Sequence, residues 1–413
     1  MVTHRRPSVL RSSALMFALL TALGLVLGAV LSDARAQTVP QYTFTKVADS
    51  VEDGFDLNNF GCAAINARGD IAFRAGRLTP DGFNTIPGIY RANADGTLTT
   101  IAEDQRRFNS IGFNPSINDS GQVSFAARLD GGKKPDPEAI LRGDGRKLTT
   151  IATTADRFNF FGFDTSINNS GEVAFAAELD EEFGFDEGLF SGSGGKRGIT
   201  MHYLTSTDVS LDGQPERFLG SDSRPSINDS GNIAFVESVQ PDFDRGIFVG
   251  RDGQFTTVVV PDPSDPSVGY EAPILNDAGN IAFKRTFFDE TAQQSAEEIV
   301  KIDADGTRTV VADTRGEFST LGFRPPSLNN NGDVAFLATL DDFTTTGIFV
   351  GQDPNADRVI ATGDTLDGST VQNITFCEEG LSDSGGLAFV ATLEDLTSRE
   401  GFRTAVFGAT PVP

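Results

Sequence analysis

Four carboxylates stand at the same place in a phrase that the chain repeats. Asp130, Asp180, Asp341 and Glu394 each follow an apolar run and open an acid-rich loop, "LDGGKKPDPE", "LDEEFGFDE", "LDDFTTTG" and "LEDLTSRE". Oxygen ligands of this kind suit a hard cation such as Ca²⁺, and two carboxylates facing each other across a pocket can hydrolyse a glycoside. Neither chemistry is spelled out in full. "NADG" at Asn93 and "DADG" at Asp303 are turns too short for a calcium loop, and with 58 Asp and Glu residues chance pairs of acids are unavoidable. The four acids therefore mark a candidate ligand face, with calcium as the one cofactor they could hold. Other reactive side chains are few. His202, in "TMHYLT", is the only histidine after residue 36, so a Ser-His-Asp triad would have to use it, and no G-x-S-x-G elbow accompanies it. Two Cys and this one His are too few for a zinc site. No P-loop and no G-x-G-x-x-G follows a strand. Without Trp, and with only 4 Tyr, the chain offers a poor stacking platform for sugars. No catalytic residue is assigned.

The elements that position these acids are themselves repeated. The phrase N-x-x-G-x-[IVL]-[AS]-F begins at Asn66, Asn118, Asn168, Asn228, Asn276 and Asn329, and in altered form at Ser382, at intervals of 52, 50, 60, 48, 53 and 53 residues. Each copy reads as four short strands. In the second, "NPSIN" leads through the turn "NDSG" into "QVSFAARL", and "EAILRG" and "KLTTIAT" follow around "GDG". Period-two alternation, β-branched residues and Gly/Asn/Asp turns are strand-and-hairpin signals, and no helical period is sustained. Asn and Gly suit the tight turn between the first two strands, so the seven turn positions are structural. The phenylalanine of each copy (Phe73, Phe125, Phe175, Phe235, Phe283, Phe336, Phe389) is expected to pack between neighbouring units. Four strands at this spacing predict an all-β, seven-bladed β-propeller of four-stranded antiparallel blades, with a β-solenoid as the weaker alternative.

The ends of the repeat array complement each other. The last copy has its second strand, "GLAFVATLE", and its third, "TAVFGA", but no fourth; "YTFTKVADS", from Tyr42, precedes the first copy and resembles the fourth strand "TRTVVADT". Residues 42–49 are therefore predicted to pair with Thr404–Ala409 and close the ring, whereas an open array would need caps. Cys62 lies four residues before Asn66 and Cys377 five before Ser382, where other copies carry Phe113, Phe163 and Phe323. A closed ring makes these two blades neighbours. The cysteines then form a disulfide across the junction, or stay as two buried thiols.

Before the repeats, Arg5, Arg6 and Arg11 precede "ALMFALLTALGLVLGAVL", and Ala34 and Ala36 form an A-x-A site. Residues 1–36 have the layout of a bacterial signal peptide, leaving 37–413 as the propeller domain of a secreted or periplasmic protein. Losing four Arg and one Asp with that segment takes the formal charge from −25 to about −28. Such a charge disfavours nucleic acid and anionic lipid as partners. No second apolar run is long enough to span a bilayer, and "FGATPVP" carries no sorting motif. Over about residues 40–410 the phrase resembles the NxxGxxAF tandem repeat of bacterial exported proteins, a family whose members end in varied surface anchors. The resemblance implies export and repetition and brings no catalytic residues. The expectation is a secreted, acidic binding or scaffold module for an extracellular protein or glycan rather than an enzyme. A carbohydrate-active hydrolase using the loop carboxylates, or a calcium-stabilised surface protein, are the alternatives.

Overall fold

The structure, a computed structural model, describes residues 42–81, 84–103, 107–130, 136–195, 198–220, 224–240, 244–260, 268–398 and 400–412. The expected signal peptide lies outside them, as do residues 131–135 and 241–243 of the acidic loops. Seven antiparallel sheets follow one another around a ring, one for each copy of the phrase. The first blade shows the plan: Phe55–Ile65, Ile71–Leu78, Thr85–Ala92 and Leu98–Glu103 pair in that order from the inside outward. This is the seven-bladed propeller that the repeat spacing predicts.

The first strand of each blade faces the central channel, and in blades one, two, three, five and six its continuity follows the residue three before the turn Asn. Ala63 and Thr165 stand there in blades one and three, whose first strands run unbroken as Phe55–Ile65 and Phe158–Ile167. Pro115, Pro273 and Pro326 stand there in blades two, five and six, and those strands split into two pieces around the proline. A proline has no N–H to give the ladder, so the pairing lapses where it sits.

Blade four departs from the four-strand plan. A hairpin of Val209–Leu211 and Gln214–Glu216 precedes it and lies parallel to its outermost strand, Ser210 opposite Gln254 and Leu211 opposite Phe255. The 60-residue interval before Asn228 is the trace of this insertion. Blade seven gains a short hairpin strand, Thr365–Leu366.

The ring closes as its ends require. Tyr42–Asp49 is the outermost strand of blade seven, antiparallel to Phe402–Pro411, with Tyr42 opposite Pro411 and Asp49 opposite Ala405. Arg403 Nη1 reaches the buried Asp49 carboxylate at 2.6 Å and ties the two strands side chain to side chain. Cys62 and Cys377 form a disulfide, their Cα atoms 5.9 Å apart.

The repeated phenylalanines are fully buried, each in an apolar cluster shared with the preceding blade. Phe125 packs with Ile89 and Ile101 of blade one, and Phe73 with Val406 of blade seven. The turn asparagines do more than turn. Asn118 Oδ1 accepts the N–H groups of Ser120 and Gln122 within its own turn, while Nδ2 donates to Asn168 O of the next blade at 3.0 Å. The same donation runs from Asn66 to Asn118, Asn168 to Asn228, Asn228 to Asn276, Asn276 to Asn329 and Asn329 to Ser382. The position thus needs a donor and an acceptor on one short side chain, which Asn supplies and Asp does not. Ser382 bonds within its own turn instead, to Gly386 O at 3.1 Å, so the amide chain is open between blades seven and one, where the disulfide sits.

Candidate functional site

Antiparallel hairpins put the Asn-containing turns at one end of the channel and the acid-rich loops at the other. At the turn end, the residue after each Asn forms a second belt. Ala67 N–H donates to Asp119 Oδ1, Asp119 to Asn169, Asn169 to Asp229, Asp229 to Asp277, Asp277 to Asn330 and Asn330 to Asp383, at 2.7–2.9 Å. A cavity of about 160 Å³, lined by these residues from all seven blades, ends at Glu378 and Glu379. Sequence reasoning missed this belt, although the recurring Asp or Asn after the motif Asn was its signal.

Further in, side chains from opposite blades meet and fill the channel. Arg324 Nη1 donates to Asn114 Oδ1 at 3.2 Å, and Asn114 Nδ2 donates to Asp164. Arg224 Nε pairs with Asp164 at 2.7 Å and its Nη1 stands 3.7 Å from Glu378 Oε1. The network thereby joins blades six, two, three, four and seven. A cavity of about 30 Å³ lies around it, beside the disulfide.

Glu379 has a role that local sequence does not announce. Serines two residues before the motif Asn accept an N–H from the next blade: Ile167 to Ser116, Ile227 to Ser166, Leu275 to Ser226 and Leu381 to Ser327. Blade one has Ala64 at that position. Glu379 reaches past it from blade seven, taking the Ile117 N–H on Oε2 at 3.3 Å and the Ser116 hydroxyl on Oε1 at 2.7 Å. Burial pushes its pKa up to about 8, the Glu378 charge adding to the rise and the bonds from Ser116 and Ile117 opposing it. Burial likewise raises Glu378, with Arg224 opposing. Among the described residues one group of three His, Cys, Asp or Glu has ligand atoms within 4.8 Å of one another: Cys62, Cys377 and Glu378, whose sulfurs are joined to each other.

His202 stands in a triad-like setting with the proton on the wrong nitrogen. Nε2 lies 2.9 Å from Ser191 Oγ, and Nδ1 accepts the Asp252 N–H at 3.1 Å. An accepting Nδ1 places the ring proton on Nε2, which donates to the serine, and Ser191 in turn donates to Glu172 at 2.5 Å. The imidazole cannot take the hydroxyl proton, and both side chains are buried. Burial keeps the histidine pKa low, so the ring is neutral and ties the outer strands of blade three to a turn of blade four.

At the loop end the four candidate acids each stand at the end of the second strand of a different blade. Asp130, Asp180, Asp341 and Glu394 belong to blades two, three, six and seven. The main-chain N–H groups of Asp130, Asp180 and Asp341 donate to Arg107 O, Arg157 O and Glu317 O, pinning each loop to the start of its own blade. Asp180 also caps a short 3₁₀ turn, Glu181–Phe183, and lines a groove of about 540 Å³ with Asn109, Arg128, Asp136, Glu138 and Asn159. Other loop acids hold their own turns. Asp342 takes the Thr345 hydroxyl and the N–H groups of Thr345 and Thr344, which lowers its pKa to about 2; Asp395 takes the hydroxyl and N–H of Thr397, which hold its carboxyl below the usual range. What the loop end exposes instead is aromatic. Phe113, Phe163 and Phe323, equivalent residues at the head of the channel, are 56%, 58% and 96% exposed, and Phe185 and Phe343 project from loops of blades three and six. The Arg74 guanidinium lies 4.5 Å over the Phe113 ring, and Phe160 meets Phe163 edge to face.

Comparisons with known proteins agree with this architecture. Residues 259–411, which span blades five to seven, match a family of unknown function (DUF7453). Among curated proteins no sequence match is found. Of solved structures, an oligogalacturonate lyase in complex with manganese superposes with a TM-score of 0.52 at 10% identity, over 91% of this chain and 98% of that one. A prolyl endopeptidase superposes with a TM-score of 0.51 at 10% identity, over 97% of this chain and 56% of that one, so the chain spans about half of that enzyme. At such identities the likeness is one of fold. Among the described residues no helix is long and apolar enough to cross a membrane.

Proposed function

We propose that this is an exported, secreted or periplasmic binding or scaffold propeller that engages an extracellular protein or glycan on its loop end. The observation that carries the reading is the rim of Phe113, Phe163 and Phe323, three equivalent rings left in water at the head of a channel whose interior is closed by its own side chains. Large apolar side chains grouped on one face are hydrated at a cost that a partner removes. Acid-rich loops around them favour a partner with basic or hydroxyl groups. A second reading, a carbohydrate-active hydrolase, has the groove of Asp136, Glu138 and Asp180 in its favour. In a calcium-stabilised version, the acid-rich loops that Asp130, Asp180, Asp341 and Glu394 open supply the oxygen ligands.

The test compares the wild type with the triple variant Phe113→Ala/Phe163→Ala/Phe323→Ala on a glycan array and against secreted proteins. At least a tenfold loss of affinity for whatever the wild type retains, with an unchanged melting temperature, is expected. Equal retention by the variant overturns the loop-end assignment. Cleavage of a bound glycan, abolished by Asp180→Asn, would transfer it to the hydrolase.

A further inference from the structure

Among the described residues, six other than glycine hold a positive φ, and two of these are phenylalanines. Asp212, Asp252 and Asp367 each precede a glycine in a two-residue hairpin turn, where this backbone is ordinary. Gln293, in the loop of blade five, folds its amide back onto Glu290 O at 2.6 Å. Phe185 and Phe343 stand at φ 57° in the loops between the second and third strands of blades three and six. A bulky side chain is strained in this region, and the matching loop of blade seven has Gly401 at φ 78° instead. The strain brings neither ring into the core: Phe343 is 79% exposed and Phe185 52%. Backbone strain and an apolar ring in water thus fall on the same residues, with no core packing to offset them.

The loops hold these rings out. In blade six the Phe343 N–H donates to Leu340 O at 2.9 Å, and the Leu340 N–H donates to Thr345 O at 2.9 Å. In blade three the Leu179 N–H donates to Asp186 O at 2.8 Å, and Asp180 caps the turn that Phe185 follows. Each of these blades also carries a ring at the channel head, Phe163 and Phe323. In a ring of seven, blade six has blades two and three opposite it. Arg324, next to Phe323, accordingly reaches Asn114, which donates to Asp164, next to Phe163. The four rings form a track across the loop end, Phe185 and Phe163 on one side of the channel head, Phe323 and Phe343 on the other. The charge along it is negative. Asp180, Asp186 and Asp342 are held by neutral N–H and hydroxyl groups, which leave their charges in place.

We infer that this track docks an extended polypeptide segment of a partner, one that alternates apolar with basic side chains. The assignment rests on the loop-end reading above and commits that face to a protein rather than a glycan. An occupant that touches both tips has to cross the channel head, which an extended chain does at about 3.3 Å per residue and a small molecule does not. Alternate residues of such a chain face the same way, so its apolar side chains meet the rings and its basic ones the carboxylates. Exposed aromatic rings on a rigid frame are the anchors that such a segment covers with most gain.

The experiment measures fluorescence polarisation of a labelled twelve-residue peptide of alternating leucine and lysine on the folded protein, with a leucine–glutamate peptide and a four-residue leucine–lysine peptide as controls. Saturable binding of one long leucine–lysine peptide per chain is expected, with both controls at least tenfold weaker. Phe185→Asn and Phe343→Asn place at each tip a residue that accepts a positive φ. Each is expected to weaken the peptide severalfold, the pair at least tenfold, while the melting temperature stays equal or rises. Absence of saturable binding, or unchanged affinity in the paired variant, overturns the track. So does equal affinity of the short peptide, since one side would then suffice. A lowered melting temperature in either single variant overturns the premise, because that ring would be serving the fold. A glycan that the wild type retains and the paired variant loses would transfer the track to a glycan and overturn the peptide. A partner lost by Phe113→Ala/Phe163→Ala/Phe323→Ala but kept by the paired tip variant would leave the loop-end reading standing and remove this one.

Discussion

Glu379 shows how a single residue can hold a ring together and make it sensitive to acidity. Its carboxyl substitutes for a serine that Ala64 cannot provide, and its pKa of about 8 lies far above an ordinary glutamate. An acid raised in the folded state binds a proton there that the unfolded chain has already released. Stability from this group is therefore full below about pH 4.5 and is lost as the pH rises towards 8. Glu378 beside it, also raised, acts in the same direction. Glu379→Gln keeps an acceptor for Ile117 and cannot ionise. Its melting temperature is expected to fall less than that of the wild type between pH 5 and 8, and parallel curves for the two proteins would dismiss the mechanism. His202 teaches the converse at the same scale: residue types and distances suggest a triad, but the bond that each nitrogen makes decides what the ring can do.

Among the elements, the strand Tyr42–Asp49 carries the most consequence for its length. It covers the outer edge of blade seven, and its Phe44 packs edge to face on Phe389. Removing residues 37–50 exposes the edge of Phe402–Pro411 and deprives Arg403 of Asp49. The shortened chain is expected to melt at least 10 °C lower and to self-associate, a difference of several kcal/mol for a domain of this size. A melt within a few degrees of the wild type, by circular dichroism, would show that this strand is not needed for closure. The hairpin Val209–Leu211/Gln214–Glu216 is a contrasting element, added outside a blade that already has four strands.

Across the whole molecule, the contact between blades seven and one differs from the other six in the same way at two levels. The Asn belt stops at Ser382, and the second belt stops where Asp383 would need an acceptor at Ala67. The disulfide and the outer strand compensate at that junction. Cys62→Ser/Cys377→Ser is expected to cost about 2–5 kcal/mol. Ser382→Asn, which offers Asn66 O the missing amide, is expected to restore about 1 kcal/mol in that background. Urea melts of the single, double and triple variants measure both, and a Ser382→Asn that destabilises the cysteine-free protein would refute the account of the broken belt.

Local residue types determined a great deal here. Seven recurrences of one phrase set the blade count, the Gly and Asn of each copy specified the turns, and the unmatched strands at the ends specified how the ring closes. These are consequences of chain-local chemistry: φ at a turn, alternation along a strand, spacing between copies. The acids of the loops were legible as acids, but their work was not, because Asp342 and Asp395 spend their oxygens on nearby N–H groups that composition does not reveal. Partners far apart in the chain were decided only by tertiary structure. Arg324 meets Asn114, and Glu379 meets Ile117, because the ring brings opposite blades together across one channel.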